Sequence, residues 1–235
     1  MLKKLPGDYE QVQEDRYDNY ASLSRLFRIE IDAELLGDLC ESPRVDPVGD
    51  ELFDAGYAGI CAYIDAIADR GKAKSELAAD YCWTFVGYGA DPSGDDDESK
   101  LNAAYPYESV YVTGRKTLTG GSSEGVSKLF ASYGFHPTRY RISADDHIAC
   151  ELEFMQYLVG QEILAAREFD LDRVNDLRDV QLSFIREHLL SWIDKFQHVI
   201  EQRSETTFYP ALGQMTKGWL LIDEANLEGG EHGER

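Results

Sequence analysis

A chain of 235 residues with 43% hydrophobic side chains is long enough to bury a sizeable core, as one large domain or two small ones. Its 44 acidic and 23 basic residues give a formal charge of −21, which argues against nucleic acid or an anionic membrane as partner and favours a cationic one, unless the acidity serves solubility alone. Cys40, Cys61, Cys82 and Cys150 form no C-x-x-C pair, Met1–Pro6 lacks a secretory apolar stretch, and no run approaches the ~18 apolar residues of a membrane span, which together point to a cytoplasmic protein with buried free thiols.

Hydrophobic spacing predicts helices almost throughout. Tyr17–Leu39 reads as one or two helices with Leu23, Leu26, Phe27 and Ile31 as the apolar stripe; Leu52–Ala68 and Ser75–Val86 follow, the latter with Ser75 as N-cap. Between Gly89 and Tyr107 the run Asp91-Pro92-Ser93-Gly94-Asp95-Asp96-Asp97-Glu98 predicts a solvated acidic loop. Val110–Thr113 is β-like but has no partner of its kind, so it is read as extended chain between helices, and no sheet is expected. Gly120–Gly125 and Gly114–Thr117 lack the G-x-x-x-x-G-K-[ST] phosphate loop, and Ser122 or Ser123 is read as a helix cap.

The C-terminal half predicts one long helix through Leu182, Ile185, Leu189, Trp192, Phe196, Val199 and Arg203. His188 flanks its stripe as a packing histidine, and Asp194 and His198 form a polar pair one turn apart, with no third metal ligand nearby. A last helix starts near Thr206 or Thr207, tolerates Pro210 in its first turn and carries Phe208, Leu212, Met215, Trp219 and Ile222. With helical spacing almost throughout and no sheet expected, the expected fold is all-α, a helical bundle with a frayed tail at 229–235.

Chemistry concentrates at Ser143-Ala144-Asp145-Asp146-His147, ahead of a helix marked by Ile148, Leu152, Met155, Val159 and Ile163. Ser143 and Asp146 are spaced almost as a capping box, and acids here complement the helix dipole by about 0.3–1 kcal/mol each. That accounts for the acids but not for His147, which is either held protonated by the carboxylates or donates one ring N–H to Asp146 and faces a groove. No G-x-S-x-G elbow, paired nucleophile or sufficient ligand set accompanies the triplet, so peptide capture suits it better than hydrolysis.

Asp145-Asp146-His147-Ile148, followed by Glu151-Leu152-Glu153-Phe154-Met155, resembles the most characteristic segment of the TorD/DmsD family of cytoplasmic redox-enzyme maturation chaperones. In the same order, Tyr81–Gly87 is similar to the family's Y-x-x-L-F-x-G, Pro106–Tyr111 to P-x-x-S-V-[YW], and Phe184–Trp192 to F-L-x-E-H-L-x-x-W. Phe208-Tyr209 matches an aromatic pair at the start of its last helix. The resemblance runs from about Glu51 to Leu221, with Ala144 where the family usually has proline and Thr84 where it has leucine.

The resemblance implies a TorD-like single-domain bundle of about eight to ten helices over residues 1–228, a binder that is not an enzyme and needs no cofactor. Its partners would be the twin-arginine signal peptide and the apo-form of a molybdenum-containing oxidoreductase of the DMSO or TMAO reductase type, whose cofactor loading it assists before export. Asp145, Asp146 and His147 would contact the arginines, and Tyr81, Trp83, Phe85, Tyr107, Ser109 and Tyr111 would form the walls; a protonated His147 would compete for Asp146 and make binding pH-sensitive. The alternatives are a NarJ-type assembly factor recognising a folded subunit, or a nucleotide- or metal-dependent hydrolase using Asp145, Asp146 and His147. A homodimer formed by exchange across the 89–107 loop is also open.

Overall fold

Aspartates start much of the architecture. The computed structural model describes residues 2, 4–87, 102–112 and 121–229, which hold ten α-helices: α1 (Tyr9–Arg28), α2 (Ala33–Glu41), α3 (Glu51–Asp65), α4 (Arg70–Tyr81), α5 (Glu108–Val112), α6 (Gly121–Ser132), α7 (Ile148–Arg167), α8 (Leu171–Phe184), α9 (Ile193–Arg203) and α10 (Phe208–Gly229). Asp32, Asp50, Asp69 and Asp170 cap α2, α3, α4 and α8, each carboxylate accepting a first-turn N–H at 2.8–3.0 Å. Each such cap stabilises its helix by about 1 kcal/mol. The all-α expectation holds, and among the described residues no helix is long and apolar enough to cross a membrane.

The chain divides into two units, each built from separated segments. The first takes the described residues of 1–28, 107–191 and 220–235, the second those of 29–106 and 192–219. In the first, α1 lies along α7. The buried face of α1 is polar over its first half, with Tyr9, Gln13, Arg16 and Tyr20, and apolar only from Leu23 on. Arg16 sits at the centre of this polar face, 2.6 and 2.9 Å from the two carboxylate oxygens of Asp223, 2.5 Å from Gln181 and 3.2 Å from Glu162. Burial alone would lower the Arg16 pKa, but Asp223 and Glu162 more than offset it and raise it. Tyr20 donates to Asp223 and Tyr9 to Glu162, so four stretches of chain share one hydrogen-bond network.

In the second unit α3 and α10 approach closely at glycines. A Cβ at Gly56 would strike the backbone of Ala211 and Met215, and one at Gly218 the backbone of Phe53. Beside this contact, Tyr81, Phe85, Phe196 and Tyr209 form a cluster of tilted and edge-on rings with centroids 5.2–6.0 Å apart. Asp80 is buried next to them and accepts from the Thr84 hydroxyl, the Glu205 and Thr206 amides and the Thr206 hydroxyl.

Several local expectations are corrected. The first helix starts at Tyr9, well before Tyr17, and Ser75 lies inside α4, where its hydroxyl bonds to the Gly71 carbonyl while Asp69 does the capping. Cys82–Val86 continues α4 as a π-helical turn that ends at Gly87, whose φ of 76° needs no Cβ penalty. The widened turn leaves the Thr84 carbonyl to accept from Ala104 N at 2.7 Å, and the Thr84 hydroxyl finds Asp80 at 2.9 Å and Ser204 at 3.2 Å. Of the stretch Val110–Thr113, expected to be extended, Val110–Val112 belong to the helix α5 and Thr113 lies outside the described residues, and Ser122 and Ser123 fall within α6 rather than before it. The long C-terminal helix is two: α8 runs into a π-helical turn, Ile185–Leu189, and the chain breaks before α9. Asp194 pairs with Lys217 at 2.5 Å and His198 with Gln202 at 2.9 Å, so they do not form a pair with each other. Cys150 is buried, its thiol pushed up to about 12 by burial, whereas Cys40, Cys61 and Cys82 are half-buried and not the buried thiols expected; none of the four is in a disulfide. The core of the acidic loop, 88–101, Gly114–Thr117 and the tail 230–235 lie outside the described residues.

Candidate functional site

The stretch from Asp145 to His147 runs antiparallel to Tyr107, with a bridge between Tyr107 and His147 and a 2.9 Å bond from Glu108 N to the Asp146 carbonyl. The two rings meet edge to face, 4.9 Å between centroids. Asp146 turns its carboxylate to the start of α5, where Oδ2 accepts from Ser109 N at 3.0 Å; Oδ1 has no hydrogen-bond partner among the described residues. Asp145 points the other way, to Arg139 at 2.6 Å and to the Ser127 hydroxyl of α6 at 2.7 Å. One segment thus gathers α5, α6 and α7.

Helix α7 is capped by His147, not by Ser143 or Asp146: its Nδ1 accepts from Ala149 N at 3.0 Å. That acceptor role requires a neutral ring with the proton on Nε2. Burial first, and then the Arg28 cation, push the His147 pKa down to about 3. Arg28 stands close because it donates to the Ala149 carbonyl at 3.1 Å and pairs with Glu153 at 2.7 Å. The imidazolium expected to compete for Asp146 is therefore not formed near neutral pH.

Exposure separates the nine residues singled out from the sequence. Asp145, Asp146 and His147 are 4%, 0% and 3% exposed, and Tyr107, Ser109 and Tyr111 are buried beside them in the first unit. Tyr81, Trp83 and Phe85 belong to the second unit, where Tyr81 and Phe85 are core and Trp83 keeps 39% of its surface in solvent. Arg139 is the open partner of the triplet, with 58% of its side chain exposed. Sequence reading missed Arg139, Ser127 and Glu108. Glu108 is buried and meets His188 Nδ1 at 3.0 Å, while the His188 ring lies 4.8 Å from Phe184. His188 is thus the hydrogen-bonded packing histidine its position suggested. Glu108 lies within the Pro106–Tyr111 motif, yet only its distant partner marks it. Among the described residues no group of three or more His, Cys, Asp or Glu side chains could hold a metal ion.

A family model described as nitrate reductase delta subunit matches residues 50–198. Among curated relatives, the chaperone protein TorD of Vibrio parahaemolyticus is 29% identical over 202 residues, 86% of this chain and 83% of the relative. That of Photobacterium profundum is 30% identical over 72% of this chain and 71% of its own length, and that of Aliivibrio fischeri 27% identical over 92% and 96%. With more than half of its length matched by the family model, and with the motifs between Tyr81 and Trp192 in place, the chain belongs to the family that joins the nitrate reductase delta subunits and the TorD chaperones.

Proposed function

We propose that this protein is a redox-enzyme maturation chaperone that binds the twin-arginine signal peptide of a molybdenum-containing oxidoreductase of the DMSO or TMAO reductase type, keeping the apo-enzyme back while its cofactor is loaded. The observation that carries the reading is near full-length similarity to proteins named chaperone TorD. The surplus of acid, −21 over the chain, adds an attraction for a cationic leader.

In this reading Asp145 receives an arginine of the signal. Its present partner Arg139 is mostly exposed, so an incoming guanidinium replaces one charge-assisted pair by another without stranding the carboxylate. Asp146 and His147 hold the backbone that presents Asp145, through the bonds to Ser109 N and Ala149 N. Tyr107, Ser109 and Tyr111 back that segment, and Trp83 is the exposed aromatic of the second set, over the packed Tyr81 and Phe85. Titration by calorimetry with twin-arginine leaders, and with versions carrying Lys-Lys or Gln-Gln, tests it. Tightest binding of the arginine form is expected, because only a guanidinium grips a carboxylate with two parallel N–H groups. Equal affinity for all three would remove the charge-pairing mechanism. Binding to a client that lacks its leader would instead favour recognition of the folded subunit.

A further inference from the structure

Two neighbouring grooves follow the seam of α1 and α7, away in sequence from the segments at 107–111 and 143–147. One, of about 340 Å³, is lined by Leu5, Tyr9, Glu10 and Phe169; the other, of about 500 Å³, by Glu14, Tyr17, Asp18 and Leu164. Ile163 and Arg167 border both. The seam leaves large apolar side chains in water: Tyr17 is 38% exposed, Leu164 53% and Phe169 84%.

Phe169 is the informative residue. It follows the end of α7 with φ 59°, its N–H bonding to the Ala166 carbonyl at 3.1 Å and the next N–H, of Asp170, to the Ala165 carbonyl at 3.0 Å. This is the helix-ending arrangement that favours glycine, because a Cβ is strained at positive φ. Stability alone disfavours phenylalanine here twice, through the backbone and through the exposed ring.

Charge completes the pattern. Glu10, Glu14 and Asp18 recur every fourth residue, which sets them on one flank of α1 about 6 Å apart along its axis. Arg167 already shows how a guanidinium lies against this flank, 2.5 Å from Glu10 and 3.2 Å from Glu14, in a pair exposed enough to exchange. A helix with cations one turn apart has the same repeat.

We propose that the α1–α7 seam is a docking surface for a basic amphipathic helix, its cations against Glu14 and Asp18 and its apolar side chains on Tyr17, Leu164 and Phe169. The surface shares no residue with the signal-peptide site proposed above and needs no adjacent arginines. The probe is a dye-labelled helical peptide with lysine at every fourth position flanked by leucine, followed by fluorescence anisotropy; its control carries glutamate in place of lysine. The lysine peptide binds and the control does not. Phe169→Gly raises the melting temperature yet weakens binding by about tenfold or more, the loss expected when one large apolar contact disappears. Glu14→Gln with Asp18→Asn flattens the salt dependence. The proposal is overturned if the probe fails to bind, if lysine and glutamate peptides bind alike, or if Phe169→Gly is stabilised with unchanged affinity. Loss of self-association in that variant, with probe binding intact, assigns the face to a second copy of the chain and overturns it too.

Discussion

His147 caps α7 only while its ring is neutral, and that makes the cap a source of acid sensitivity. Its pKa lies at about 3 in the fold, through burial and then Arg28, against about 6.5 in an unfolded chain. Between those values the unfolded chain binds a proton that the folded one refuses. The contribution is therefore complete above about pH 6.5 and is lost as pH falls below it, by up to about 1.4 kcal/mol per unit. His147→Asn keeps a side-chain acceptor suited to an N-cap and removes the titration. Urea midpoints measured at about pH 7.5 and about pH 5 should fall further in the wild type than in His147→Asn; parallel losses would mean that another group governs the acid limb. Phe169 makes the opposite case at the same scale. A non-glycine residue in the left-handed region costs about 1–2 kcal/mol, part of which glycine returns through the freedom of its unfolded chain, so the gain from Phe169→Gly is a fraction of that sum.

Among the helices, two glycines of the same unit should respond to alanine with opposite signs. Gly37 in α2 has open space around the place of a Cβ, so Gly37→Ala gains helix propensity, about 0.5–1 kcal/mol. Gly56 in α3 faces the backbone of α10, which cannot swing aside, so Gly56→Ala forces the helices apart at about 1–3 kcal/mol or more. Chemical denaturation of both variants decides it; a neutral Gly56→Ala would mean that α3 and α10 part at no cost. The same contrast explains what the sequence could reveal. Helices α3, α7 and α10 were legible because apolar residues face the core at helical spacing. The start of α1 was not, since its inward face carries Gln13 and Arg16, which period-counting assigns to solvent. The two π-helical turns were hidden for another reason: an extra residue in one turn leaves the apolar count intact while shifting its phase. At the site, Asp145–His147 announced a helix mouth, but its burial depends on Arg139, Ser127 and Ser109, which stand 6, 18 and 37 residues away with no periodic relation to it.

At the scale of the whole chain, the first unit is held by groups that arrive from three separate segments. Arg16 comes from the first, Glu162 and Gln181 from the middle one and Asp223 from the last, and all four side chains are buried. Replacing Arg16 by Met would leave Asp223 buried without its cation and Glu162 with Arg178 alone, at 3.3 Å, a loss of about 3–5 kcal/mol. Because the damage is the stranded charge and not the missing contact, adding Glu162→Gln and Asp223→Asn to Arg16→Met should restore much of the stability, a recovery that independent substitutions would not give. The same logic forbids cutting the unit out as one piece. A fragment of residues 107–191 keeps α7 and α8 but loses the Arg16 guanidinium, leaving Glu162 only Arg178, together with the apolar half of α1 that covers α7. It should melt without a cooperative transition in calorimetry, and adding a peptide of residues 4–28 alone should not restore one, because Asp223 would still be missing from the network. A cooperative melt of the bare fragment would show that the polar network follows folding of α7 and α8 rather than organising it.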